Sequence, residues 1–310
     1  MSLSPQSNVL KILSKSIPRR LVSIQLKLDE PHKTVLRTMW NASNAVVPEF
    51  HNRLSVERYE PDRVLCEWVY RDRTRRKRIV FYLHGGAYLK GGMSYIRSKS
   101  IRFAESTATA SVFSVDYRIS AVAPFPAALD DSMSAYRFLV NELAASDAEI
   151  ILMGDSAGGG LALSVMQRIR DEGLKRPARI ILNSPWTDLT VSGESVTIKA
   201  ETDVVLDELL LKKSARLYAG KDLKNPLVSP LFADFTDFPP LYFEVGSDEI
   251  LLDDSVRCAA AAEAAGVEVH LHIWDGMYHL FHYWEDVAPE SAAACKELYG
   301  IIDGTYKPEQ

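Results

Sequence analysis

Ile150-Ile151-Leu152-Met153-Gly154-Asp155-Ser156-Ala157-Gly158-Gly159-Gly160 joins a short apolar run to the start of a helix that continues through Leu161 and Met166. Between run and helix lies a turn with glycine on either side of a serine. Such a strand, sharp turn and helix is the setting of a nucleophile elbow. The turn is tight enough that side chains at Gly154 and Gly158 would collide with neighbouring backbone. Ser156 sits at the apex in a strained conformation and projects its hydroxyl outward. The helix behind it directs free N–H groups and the positive end of its dipole at the same point. Asp155 is placed to favour that helix start electrostatically. Gly-x-Ser-x-Gly by itself is a common turn; the flanking strand and helix make Ser156 a candidate nucleophile.

A serine hydroxyl is a poor nucleophile at neutral pH and needs a histidine to take its proton and an acid to orient that histidine. In chains built around such an elbow, the acid and then the histidine follow the serine, each from a loop after a strand. Asp248 follows the run ending in Val245-Gly246-Ser247, and His279 follows the run ending in Trp274. The predicted triad is therefore Ser156, Asp248 and His279. Asp253 and Asp254 read as charges at the start of the next helix, Glu244 as a residue within its strand, and His270 and His272 as partly exposed structural histidines. His282 falls where the next helix is expected to begin, and His32 and His51 have no motif around them. Acyl transfer also needs donors for an oxyanion, and losing one costs about 3–4 kcal/mol of barrier. His84-Gly85-Gly86-Ala87 directly follows the strand Ile79 to Leu83. Glycines there let backbone N–H groups approach a substrate oxygen, so the predicted oxyanion hole is Gly85, Gly86 and Ala157. His84 is expected to fix the loop by hydrogen bonds.

Further out, apolar runs at 54–59, 64–70, 79–83, 111–117, 150–153, 178–182, 240–245 and 267–274 read as strands. Helical patterns fall at 125–143, after the elbow, at 255–265 and at 291–302. Alternation of this kind implies a mostly parallel sheet covered on both faces, an α/β architecture. Thr190 to Pro230 breaks the rhythm with one or two helices and no strand, and is expected to be a lid. Amphipathic segments before residue 50, carrying Met39 and Trp40, are expected to fold over the body. Arg71 to Arg78 is basic, and reads as a solvated hairpin tip rather than a nucleic-acid patch.

Composition agrees. Apolar residues make up 47% and charged residues 25%, as in a protein with a large core, and the net charge of −5 gives no reason to expect nucleic acid or an anionic membrane as partner. Cys66, Cys258 and Cys295 are odd in number and widely spaced, with neither metal-ligand spacing nor a disulfide framework. A reducing compartment is expected. No signal peptide and no run long enough to span a membrane is visible, so a cytoplasmic protein is expected.

His84-Gly85-Gly86-Ala87-Tyr88, Asp116-Tyr117-Arg118, Pro124 to Asp131, Gly154 to Gly159, Ser184 to Leu189, Gly246 to Glu249 and Gly276 to His279 stand in one order. In that order they resemble the hormone-sensitive-lipase-like branch of the α/β-hydrolase superfamily, particularly its bacterial carboxylesterases. The resemblance covers roughly residues 55 to 300. It implies an eight-stranded sheet, a helical cap, and cofactor-independent hydrolysis of short- to medium-chain acyl esters. The implied organisation is N-terminal cap helices at 1–50, a catalytic body at 51–189 and 229–310, and a cap insertion at 190–228. It also implies homodimers through the last strand. Two positions depart from the pattern: Ala87 stands where the family has a third glycine, and Val122 where it has a glutamate. The two donor glycines remain. Amide or lactone hydrolysis on the same machinery stays open. So does a non-catalytic receptor role, marked elsewhere on this fold by loss of the histidine that His279 supplies here. Epoxide-hydrolase chemistry needs an acid at the elbow, where this chain has Ser156.

Overall fold

A computed structural model describes residue 4 and residues 54–71, 78–144 and 146–307. Eight strands form one sheet: β1 (Ser55–Tyr59), β2 (Cys66–Tyr70), β3 (Arg78–Leu83), β4 (Ala110–Val115), β5 (Glu149–Asp155), β6 (Arg179–Asn183), β7 (Leu241–Gly246) and β8 (Val269–Trp274). Their spatial order is β1-β2-β4-β3-β5-β6-β7-β8. β1 and β2 pair antiparallel, as do β2 and β4, and every other neighbouring pair is parallel. The strands lie where the apolar runs predict them. β3, β4 and β5 are buried at nearly every position and carry apolar runs at their centres, because helices cover both faces.

Among the described residues seven α-helices accompany them: α1 (Met93–Ser106), α2 (Ala127–Phe138), α3 (Ala157–Asp171), α4 (Ser195–Ile198), α5 (Glu208–Ala219), α6 (Leu252–Ala264) and α7 (Pro289–Asp303). Strand alternation divides the core in two. Ile79, Phe81, Leu83, Leu152 and Leu182 face the layer of α2, α3 and α6. Val80, Tyr82, Ile151, Met153 and Ile181 face α1 and α7. The sequence pattern gives no clear sign of α1, although the parallel step from β3 to β4 demands a crossover. Its buried face includes Ser100 as well as Ile96, Ile101 and Phe103, and its N-cap residue Gly92 offers no side chain, so both the apolar stripe and the start signal are weak.

The insertion folds as the short α4 and one continuous helix, α5. The side chain of Asp207 accepts a hydrogen bond from Leu210 N, which fixes the start of α5, and Gly220 at φ +63° ends it. The Asp203 to Asp207 segment expected to be helical is instead a turn. α5 buries Leu211, Ala215 and Tyr218, and the Tyr218 ring stacks on Tyr88 at 3.8 Å. The expected N-terminal cap helices lie outside the described residues, as does most of the basic tip. Arg78 is not at a solvated tip: it opens β3 and pairs with Glu149 at 2.7 Å. Cys66, Cys258 and Cys295 are free and buried. Among the described residues no helix is long and apolar enough to cross a membrane.

Candidate active site

Parallel pairing aligns Leu83 of β3 with Gly154 of β5, so the loops leaving these strands run side by side. A Cβ on Gly158 would stand 2.2 Å from Leu83 O, and one on Gly154 would stand 2.1 Å from Gly158 O. Only glycine fits at either place. Between them Ser156 adopts φ +53°, ψ −118°, a conformation that L-residues avoid. Strain of this kind costs about 1–3 kcal/mol and persists only where the surroundings over-determine it. Ser156 N donates to Asn183 O at 2.8 Å, and Ser156 O accepts from Gly159 N, Gly160 N and Trp186 N.

The serine hydroxyl lies 3.0 Å from Nε2 of His279. On the far side of the ring, Nδ1 lies 2.8 Å from Oε2 of Glu249. The acid that meets the histidine is thus Glu249 and not the predicted Asp248. The turn after β7 points these neighbouring side chains in different directions. Glu249 is fully buried, and its Oε1 accepts from Gly246 N at 2.7 Å and from the Ser184 hydroxyl at 2.6 Å. Asp248 is turned toward Lys199, with Oδ1 4.0 Å from its ammonium. Pattern alone did not separate two adjacent acids after a strand; the signal lies in the third dimension, in the donors waiting at Gly246 and Ser184.

Gly85 and Gly86 line the pocket in front of Ser156. A Cβ on Gly85 would meet Asp155 O at 2.9 Å and Ser156 Cβ at 3.3 Å, so the loop runs directly against the elbow. Gly86 takes φ +128° and the departing residue Ala87 takes φ +54°. Among the described residues, the N–H groups of Gly85, Gly86 and Ala157 donate to no protein acceptor. His84 fixes the loop, as expected: its Nδ1 lies 2.7 Å from Gly85 O and its ring stacks on Tyr117 at 4.1 Å. The other departing residue, Val122, is exposed.

The pocket has a volume of about 300 Å³. Val205, Leu206, Leu210 and Leu211 from the insertion form one wall, and Tyr278, Tyr283 and Trp284 form part of another. Leu209 of the same insertion points outward and is exposed, and Trp40, in the segments expected to fold over the body, lies outside the described residues. Asp155, expected to act on the helix start, instead anchors a buried network, accepting from the hydroxyls of Tyr82 and Tyr283 and from Asn183 Nδ2.

Sequence reasoning also missed Asp203. Its Oδ1 accepts from Val205 N and Leu206 N, and its Oδ2 from Ile250 N, each at 2.8 Å. One carboxyl thus ties the pocket wall to the loop that carries Glu249. Burial pushes that carboxyl above its ordinary range, against the pull of these donors and of His279. Asp254 is likewise more than a charge at a helix start. It is buried and accepts from Thr187 N and Asp188 N, which holds the loop after β6 in place.

A family model described as an alpha/beta hydrolase fold matches residues 80–283. The chain is 39% identical over 230 residues to an acetyl-hydrolase of Streptomyces hygroscopicus, covering 74% of this chain and 76% of that protein. It is 34% identical to an esterase of Acinetobacter venetianus, covering 71% and 73% respectively. The crystal structure of an esterase from the bacterial hormone-sensitive lipase family superposes with a TM-score of 0.86 at 31% identity, covering 99% of this chain and all of the other.

Proposed function

Since this chain belongs to the hormone-sensitive-lipase-like branch of the α/β-hydrolase family and is a carboxylic ester hydrolase, we propose that it cleaves short- to medium-chain acyl esters through an acyl-enzyme on Ser156, with His279 as base and Glu249 as the orienting acid. The observation that carries this reading is the relay from Ser156 Oγ to His279 Nε2 and from His279 Nδ1 to Glu249, at 3.0 and 2.8 Å. It lies beside three N–H groups that, among the described residues, donate to no protein acceptor.

Ester enters the pocket with its carbonyl over Ser156. The hydroxyl attacks as His279 takes its proton, and Glu249 stabilises the imidazolium that results. Gly85, Gly86 and Ala157 donate to the oxyanion. His279 returns the proton to the alcohol as it leaves. Water then repeats the sequence on the acyl-enzyme and releases the acid. The insertion at 190–228 acts as the cap, since Val205, Leu206, Leu210 and Leu211 close the apolar side of the pocket. A volume of about 300 Å³ is at the small end of ligand sites, which fits an acyl group of limited length.

Initial rates on p-nitrophenyl esters from acetate to dodecanoate, wild type beside Ser156→Ala, test the proposal. Rates peaking at short or medium chains and collapsing in the variant are expected. A slow, flat profile unchanged by the substitution would refute it.

A further inference from the structure

β8 is one of the two edge strands of the sheet, and its pairing with β7 sets Glu244 beside His272. Strand alternation then puts Glu244, His272 and Trp274 on one face, the face across which α7 lays Glu297. The Nδ1 atom of His272 lies 3.0 and 3.1 Å from the two oxygens of Glu297. One donor atom from each of Glu244, His272 and Glu297 falls within 4.8 Å of the others.

We propose that Glu244, His272 and Glu297 bind a divalent transition-metal cation, with zinc the best match to one imidazole and two carboxylates. A tetrahedral zinc at its usual bond lengths of about 2.0–2.2 Å holds its donors roughly 3.3–3.5 Å apart. The histidine and Glu297 are already close to that spacing, and Glu244 places a carboxylate oxygen within 4.8 Å of both. Access is open: the three residues line a cavity of about 1020 Å³ that reaches solvent, where water completes the coordination.

Charge points the same way. Glu244 is buried, yet among the described residues neither it nor Glu297 has a lysine or arginine at ion-pair distance. Two carboxyl groups set against one another need either a shared proton or a cation between them. Trp274 orients two of the three ligands. The indole N–H of Trp274 donates to Glu244. The His272 ring stacks on Trp274 at 4.2 Å, which fixes its plane. On binding, Nδ1 gives up its hydrogen in favour of the Nε2 tautomer and its lone pair turns to the metal, while any proton held between the carboxyls passes to water.

The site shares no residue with the pocket around Ser156 and stands independently of the proposed reaction. Its test is calorimetric titration of the chelator-treated full chain with ZnCl₂, repeated on His272→Ala and Glu297→Gln. Both altered side chains are partly exposed, so the fold is expected to tolerate the changes, and circular dichroism checks it. One zinc per chain is expected, with affinity about tenfold or more weaker in each variant. Co²⁺ added in place of zinc is expected to give the visible absorption of a tetrahedral site in wild type alone. Zinc is expected to raise the melting temperature of wild type and not of the variants. No saturable binding by wild type, or binding that survives both substitutions, would overturn the proposal.

Discussion

A single position decides which carboxylate serves His279. Asp248 and Glu249 are adjacent, and the order of acid and histidine along the chain fits either. Only the donors at Gly246 N and Ser184 Oγ hold a carboxylate against Nδ1, and they hold Glu249. Glu249→Gln is expected to lower kcat about 10⁴-fold, because the amide no longer fixes the tautomer or stabilises the imidazolium. Asp248→Asn is expected to leave kcat near wild type; a collapse in this variant alone would restore Asp248 as the acid. The placement of Ser156, His279 and the 85–86 loop side by side was legible because each answers a local demand: an elbow, a strand end, a close approach of backbone. The acid was not, because its partners come from loops distant in sequence. Ser184 is 65 residues from Glu249.

Among the elements, strands were the easiest to read, since burial on both faces writes itself as short apolar runs. α1 was hidden because a helix can bury serine hydroxyls against its own carbonyls, as Ser100 does on Ile96 O at 3.1 Å, and so dilute its apolar stripe. The insertion was legible as helical but not in its exact bounds, because Asp203 spends its carboxyl on turn N–H groups ahead of α5. Asp203→Ala leaves three backbone donors without that acceptor, and each such buried group costs about 1–3 kcal/mol. The expected outcome is a lower melting temperature together with a weakened preference for acyl length, as Val205 and Leu206 lose their tether. Thermal denaturation and the ester panel read the two effects separately. A variant that melts earlier with its length preference intact would show that the tether serves stability alone.

At the scale of the whole molecule, acid is expected to act through two buried histidines. Burial holds His84 and His282 down at about 4. Both rings stay neutral in the fold while the unfolded chain takes up their protons near pH 6.5. Their contribution is complete above that value and is lost as pH falls toward 4, at up to about 1.4 kcal/mol per pH unit for each ring. Urea unfolding at stepped pH measures the slope, and His282→Gln is expected to make it shallower by about one proton. An unchanged slope would mean that His282 is already charged in the native state. The architecture was legible at this scale because alternation of strands and helices admits few arrangements, whereas the pairing of β8 with β7 that brings Glu244 to His272 is a matter of register. The same sheet sets an order in time. Ser156, Glu249 and His279 hang from the ends of β5, β7 and β8, so a chain leaving the ribosome presents the proposed nucleophile well before the proposed base has been synthesised. On the proposed mechanism, a nascent chain, or one clipped ahead of β8, carries an elbow with nothing to deprotonate it, and ester cleavage is expected only once the closing strand and His279 are in place.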